Sequence, residues 1–400
     1  MAKRYSIPAI VLGMTANGLG VVRSLARNGV KVYALDSYIH RPAMKTRYAT
    51  CLSCPDVQKN PKAFSSFLLK LTDEVGGKAV LFPTSDAHNE YVNEYRNLLD
   101  PSLFFSISPK PVMDQLLNKK GQYEIAVRYG IPSPKTFFPE TIEQIEKISQ
   151  ELKYPVILKG LSTGNWRARF GDQKAVVVKT SQELIESYRS IHQIGQIETI
   201  LQEIIPGEDT RHYKICVYMN KAGEPLLTFT LQKIRQYPCD FGIGSSVISV
   251  WIPEIAEMGI KFMKKMGYCG VGSIEFKKDT RDEQFKMIEI NPRLWAQNSL
   301  PEACGQNFAF TAYLDLLGEK VEAKAKFKEG IKWIALNVDR ASFKGYLAQG
   351  RITWGKWLKS ILTGRRTWAI WAMDDPMPFL TAIKFGFLPF EKVISRLQRK

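Results

Sequence analysis

The tightest constraint in the 400-residue sequence is a pair of apolar runs, GVGSIEF (270–276) and FKMIEIN (285–291), joined by the polar turn KKDTRDEQ. Folded as an antiparallel hairpin centred near Asp282, they set Glu275 opposite Glu289. Asn291 shares the face of Glu289, because side chains repeat every second residue. Two carboxylates directly across a ladder repel and destabilise it. Within strands made otherwise of Val, Ile, Met and Phe, that arrangement calls for a cation. Two carboxylates and an amide oxygen are hard ligands, suited to Mg2+ shared with nucleotide phosphates. The plain alternative is a solvated sheet face carrying two unrelated glutamates. Arg293 follows at once, placed to neutralise an anion beside the metal.

A set of cations accompanies the acidic hairpin. Lys119 lies in a helix pattern that stops at Gly130 with prolines just beyond. Lys159 closes the strand YPVILKG, and Lys233 with Arg235 closes TFTLQKIR. A lysine ending an apolar strand is often only a snorkelling edge charge. Together with the hairpin, these groups are what a polyphosphate needs opposite charge that Mg2+ cancels in part. The segment LSTGNWRARFGD (161–172), bounded by Gly164 and Gly171, reads either as a plain hairpin connection or as a loop folding over phosphates, with Trp166 part of the lid. ETILQEIIPGED (198–209) runs a strand into Pro-Gly and two acids, offering backbone groups to an adenine edge and a carboxylate to ribose hydroxyls.

Organisation follows from pattern. IPAIVLG (7–13), a glycine-rich turn, the helix pattern GVVRSLARNG and KVYALD (31–36) make a βαβ opening of the kind that builds a parallel sheet. AVLFP (79–83) and FFSIS (104–108) add strands, so the first 110 residues or so form a small open α/β domain. From about 135 to 320 the texture is α+β. A chain of this length exceeds what one core serves, so two or three domains are expected. The basic, apolar N-terminus reads as a first strand and not as a signal peptide, because it runs straight into a glycine turn. No apolar run reaches the roughly 20 residues that span a bilayer. Of six cysteines only Cys51 and Cys54 form a C-x-x-C, which reads as reduced thiols in a cytosolic enzyme more readily than as a redox or metal site.

In this order the motifs resemble the ATP-grasp superfamily, within its carboxylate–amine ligases, over roughly residues 1–320. NKKGQYEIAVRYGIPSP (118–134) is similar to the first lysine segment, YPVILKG to the second, LQEIIPGED to the adenine hinge, and SIEF with FKMIEINPR to the metal-binding strands. LQKIRQYPCDFGIGSSV (231–247) and FPTSD (82–86) look like a subgroup around D-aspartate ligase and related envelope-biosynthesis ligases. The resemblance implies α/β plus α+β architecture: a Rossmann-like pre-ATP-grasp domain over 1–112, a two-lobed ATP-grasp domain over 113–325, and a basic aromatic C-terminal extension over 326–400. It implies Lys119 and Lys159 on the ATP phosphates, Gln202, Glu203 and Ile205 along the adenine, and Glu208 near the ribose. Glu275, Glu289 and Asn291 would hold Mg2+, which Mn2+ can replace. Lys233, Arg235 and Arg293 would face the γ-phosphate and the carboxylate under activation. One departure is GEDTRHYK, where basic residues follow the acids, leaving open whether Glu208 or Asp209 meets the ribose. Gly13, Gly18 and Gly20 would shape a turn and bind no dinucleotide. The activity implied is amide formation through an acyl phosphate, from a small-molecule carboxylate and amine, on a cell-envelope or polysaccharide precursor.

Two other classes compete. A Rossmann oxidoreductase rests on G-M-T-A-N-G-L-G and Asp36, but that spacing is not the dinucleotide fingerprint and leaves the facing glutamates unexplained. A non-catalytic nucleotide- or membrane-binding protein rests on charge: +17 overall, with eleven Lys/Arg against three Asp/Glu in residues 341–400. That stretch also holds Trp354, Trp357, Trp368 and Trp371, half of the eight tryptophans. It reads as a base-stacking surface, an interfacial helix, or a helix folded back on the enzyme. No nucleic-acid partner is expected; peripheral membrane contact through 341–400 is, for a cytoplasmic protein at the inner face of the membrane. Asp374, Asp375 and the prolines after them exclude a spanning segment there.

Overall fold

A computed structural model describes residues 5–384 apart from 162–165, 167–169, 171–174, 194 and 196. The opening segment forms a five-stranded sheet from β1 (Ala9–Leu12), β2 (Val32–Asp36), β3 (Thr50–Ser53), β4 (Ala79–Pro83) and β5 (Leu103–Phe104). Its order is β3-β2-β1-β4-β5, parallel throughout. β1 is buried on both sides: Ala9 and Val11 enter one core, Ile10 and Leu12 another. That two-sided burial is why the strand reads as an unbroken apolar run.

The glycine-rich turn after β1 is filled by the protein itself. A Cβ on Gly18 would lie 2.0 Å from the Gly13 carbonyl oxygen, and one on Gly20 would lie 2.0 Å from Asn298 Oδ1. Asn17 donates to the carbonyls of Thr84 and Leu294, and Asn298 donates back to Asn17. The crevice where a dinucleotide reading would seat a pyrophosphate is closed by the 294–298 segment. Cys51 and Cys54 are pushed up by burial to about 11 and about 12, leaving neither as a reactive thiolate.

The single long helix expected before Gly130 is two helices, Lys110–Leu117 and Lys119–Tyr129. Asn118 breaks them: its extended backbone caps the second, with Oδ1 accepting from Lys120 N at 2.8 Å. Gly130 ends that helix in the left-handed conformation. A four-stranded sheet follows, from β6 (Thr136–Phe137), β7 (Val156–Gly160), β8 (Val176–Val178) and β9 (Thr199–Glu203), in order β6-β9-β7-β8. Helices Ile142–Ser149 and Ser181–Gln193 pack on one face, over a core that includes Val156, Leu158 and Leu201. The other face presents Ile157 and Lys159.

The largest sheet comprises β10 (His212–Met219), β11 (Pro225–Tyr237), β12 (Ile243–Ser249), β13 (Gly270–Lys278), β14 (Phe285–Asn291), β15 (Lys332–Ile334) and β16 (Arg366–Trp368). Its order is β14-β13-β10-β11-β12-β15-β16, antiparallel except for the β15–β16 pair. Segment 326–400, read from the sequence as an extension, therefore supplies two strands of this sheet. It is also tied to the opening domain: Arg23 donates to Asp375 Oδ2 at 2.9 Å and to the carbonyl of Ile370 at 2.8 Å, and Thr46 donates to the same carboxylate. Along β10 the alternation divides labour. Ile215, Val217 and Met219 face a core with helix Pro253–Lys265, whereas Cys216 and Tyr218 face the core shared with β1. His212 and Lys214 lie on that second face but beyond its apolar part, where it opens into a cleft.

Candidate active site

The cleft lies between the four-stranded sheet and the polar end of the large one, and encloses about 450 Å3. Its floor is the acidic hairpin. Glu275 pairs across the ladder with Glu289, and Ser273 with Asn291, so both carboxylates and the amide share one face. A bulge after Glu275 adds Ile288, which also lines the cleft. The roof is β7 and β9, with Lys159 donating to Gln202 Oε1 at 3.1 Å and Gln202 donating to Thr136 at 2.8 Å. Burial holds Lys159 below the ordinary lysine range, opposed by the charge of Glu289.

Of the residues singled out in the sequence, Lys119, Lys159, Gln202, Glu203, Ile205, Lys233, Glu275, Glu289, Asn291 and Arg293 all line this one cleft. Arg293 donates to Asp86 at 2.6 and 3.2 Å and to Asn291 Oδ1 at 3.1 Å, fixing the far end against the opening domain. Two residues are elsewhere. Arg235 is not in the cleft: a bulge between Lys233 and Arg235 breaks the two-residue period and turns the guanidinium to the opposite face. There it clamps Asp339 at 2.8 and 2.9 Å, with Arg235 4% and Asp339 0% exposed. Glu208 is exposed and caps a short 3-10 turn outside the cleft. Its neighbour Asp209 is buried and takes hydrogen bonds from Tyr346, Gln236 and the Asp240 amide. Of loop 161–172, Gly164 and Gly171 lie outside the described residues; Trp166 is buried in the small lobe's core beside Phe170 and also lines the cleft.

The structure also brings in groups the motifs did not mark. Lys214 sits beside Glu275 on the neighbouring strand, and its ammonium is 2.9 Å from Oε1 while that of Lys233 is 3.1 Å from Oε2. Burial alone raises the Glu275 carboxyl, but the two ammoniums outweigh it and hold it well below the carboxylate range. Glu275 is thus neutralised by lysines, so the repulsion expected across the hairpin is relieved without a metal. Glu289 and Asn291 remain as the oxygen donors that fit a hard divalent ion, which takes one or two carboxylates and draws its other ligands from phosphate and water. His212, opposite Lys277, lines the cleft with neither ring nitrogen bonded among the described residues. Period two in HYK puts His212 and Lys214 on one face, but nothing in the segment shows what that face meets.

Burial, with Lys233 and Lys277 nearby, pushes His212 down to about 2; burial pushes His88 down to about 4. Unfolded, both imidazoles take a proton near pH 6.5. Between those values the unfolded chain binds more protons, so stability falls as pH drops below about 6.5. Urea unfolding is expected to lose stability between about pH 7 and about pH 5, and His212→Asn to flatten that loss. An unaltered slope would mean that His212 takes up its proton over the same pH range in the fold as in the unfolded chain.

Two sheets thus close on one cleft, which Lys159 lines from the smaller sheet and Glu289 and Asn291 line from the larger. Residues 251–320 match the family described as carbamoyl-phosphate synthase L chain, ATP binding domain. D-aspartate ligase of Enterococcus faecium is 25% identical over 315 residues, 75% of this chain and 74% of that protein. The biotin carboxylase domain of Hydrogenobacter thermophilus 2-oxoglutarate carboxylase, solved with MgADP and bicarbonate, superposes with a TM-score of 0.62 at 18% identity, over 81% of this chain and 73% of that one. N5-carboxyaminoimidazole synthetase of Staphylococcus aureus gives 0.62 at 16%, over 82% and 81%. In fold the chain is similar to these proteins.

Proposed function

We propose that the protein is a Mg-ATP-dependent ligase that activates a carboxylate as an acyl phosphate and joins it to an amine. The observation that carries this reading is the convergence of Lys119, Lys159, Glu289, Asn291 and Arg293, drawn from three separate segments, on one cleft. Ile157, Ile288 and the edge Gln202–Ile205 line the part of the cleft that would receive an adenine, and Arg293 lines the part that would receive the phosphates. Lys119 and Lys159 neutralise the phosphate chain from above. Glu289 and Asn291 would hold Mg2+, which would supply further charge neutralisation at the phosphates. A substrate carboxylate oxygen attacks the γ-phosphorus in line and ADP leaves, a step that needs positioning more than covalent help. Arg293, held by Asp86, positions the carboxylate. An amine nitrogen then attacks the acyl carbon, phosphate leaves, and the nitrogen gives up its proton. The two-lobed closure keeps water from the intermediate.

The acceptor is a cell-envelope or polysaccharide precursor in this reading, supported by the likeness to D-aspartate ligase. A screen of ADP release over carboxylates paired with amines, with mass spectrometry of the product, tests the activity. ADP release that needs both substrates is the expected result; nucleotide binding with no turnover for any pair would point to a non-catalytic binding protein. Lys159→Met is expected to lower kcat/KM for ATP on the order of a hundredfold. Thermal stability without nucleotide should barely move, because a desolvated ammonium is replaced by an apolar group of similar length. Comparable losses in both measurements would make Lys159 a structural residue.

A further inference from the structure

The helix Trp354–Leu362 carries a wider apolar arc than the fold covers. Trp357 and Ile361 are buried against Phe343 and Ile334, with the Trp357 and Phe343 rings stacked at 4.5 Å. One step around the helix, Trp354, Leu358 and Leu362 repeat every four residues and so form a single line along it. They stand 59%, 43% and 64% exposed. Lys356 and Lys359 are exposed on the remaining face, and Arg365 follows the helix. Among the described residues none of these three cations makes an ion pair.

Acids that would offset this charge are spent elsewhere. Asp374 and Asp375 are the only two between residues 341 and 384. The first is bonded to Arg27 at 2.8 Å and to Tyr48, and the second is buried against Arg23. The segment's negative charge is thus turned inward, onto the opening domain, while its positive charge faces out beside an apolar ridge.

We propose that this ridge docks on the surface of a bilayer containing anionic lipid. An amphipathic helix with Trp and Leu on one side and Lys on the other lies in the interface plane, its apolar line among the acyl boundaries and its ammoniums at the phosphates. Each Lys or Arg near an anionic leaflet adds roughly fivefold to binding. A nucleic acid fits less well, since Leu358 and Leu362 offer bases no ring to stack on. No described helix is long and apolar enough to cross a membrane, so contact is peripheral. This assignment is independent of the ligase chemistry, because no residue of the ridge lines the cleft.

The test is sedimentation of the full chain with phosphatidylcholine vesicles, with and without phosphatidylglycerol. The wild-type protein should pellet with the mixed vesicles, fail to pellet with the neutral ones, and be released by salt. The triple variant Trp354→Ser, Leu358→Ser, Leu362→Ser should bind at least about tenfold more weakly, and Lys356→Gln with Lys359→Gln about 25-fold more weakly. Thermal melts matching wild type show that both variants fold. Wild-type protein that stays in the supernatant, or a triple variant that pellets undiminished, overturns the proposal. So does a wild-type dimer that the triple variant converts to monomer, which gives the ridge to a second copy, or an oligonucleotide affinity that the triple variant loses.

Discussion

Glu289→Gln is expected to reduce Mg-ATP turnover on the order of a thousandfold and to leave the fold standing. The asymmetry of the hairpin makes this sharper than a general claim about two acids. Glu275 already accepts from two buried ammoniums, whereas Glu289 shares its face with Asn291 and makes no ion pair among the described residues. Glutamine keeps the shape and removes the charge a divalent ion requires. With Glu275 already held by Lys214 and Lys233, the change removes little repulsion across the ladder, so the thermal midpoint without nucleotide should hold. Glu275→Gln should behave differently: Lys214 and Lys233, both nearly fully buried, lose their partner, and stability falls with activity. ADP release and thermal melting on the two variants separate the roles. Turnover close to wild type in Glu289→Gln would remove the metal from this position.

The hairpin was readable from the sequence because its two apolar runs flank a polar turn, though the bulge that adds Ile288 between Met287 and Glu289 left no mark in residue type. The opening parallel sheet was readable from its unbroken β-branched runs, as the buried strand Ala9–Leu12 shows. What escaped depends on breaks in period. A bulge at Ile234 sends Arg235 to the face opposite Lys233, and no residue type in LQKIRQY announces it. β15 and β16 are three residues each and pair in parallel across some thirty intervening residues, too short for any alternation to register. The tryptophans of the C-terminal segment were visible as composition only. Trp357 proves to be core, donating to Asp339 at 2.9 Å, while Trp354, in the first turn of the same helix with its ring edge-on to Phe343, stays 59% exposed, a split that composition cannot convey. Lys214 was missed for a different reason: a lysine inside an apolar strand reads as an edge charge until its neighbour across the ladder is known to be Glu275.

Arg235→Met should act on stability, not on catalysis. Asp339 is fully buried and accepts from Arg235 Nε and Nη2, from Ser245 Oγ at 3.0 Å and from Trp357 Nε1 at 2.9 Å. Removing the guanidinium leaves an ionised carboxylate in the interior with two neutral donors, a change worth roughly 3–5 kcal/mol of lost stability. Arg235 also donates to Ser360 at 3.0 Å, so the helix Trp354–Leu362 should loosen on its underside. Pairing the change with Asp339→Leu removes the stranded charge, and the double variant should recover much of the loss, since a buried ion pair and an apolar pair of similar volume are close in energy. Denaturant unfolding of the two single variants and the double variant closes the cycle, and kinetics below the unfolding temperature show whether KM for ATP has moved. Should Arg235→Met keep wild-type stability yet lose turnover, the guanidinium must swing into the cleft during the reaction, and the large sheet would have to rearrange at its bulge to let it.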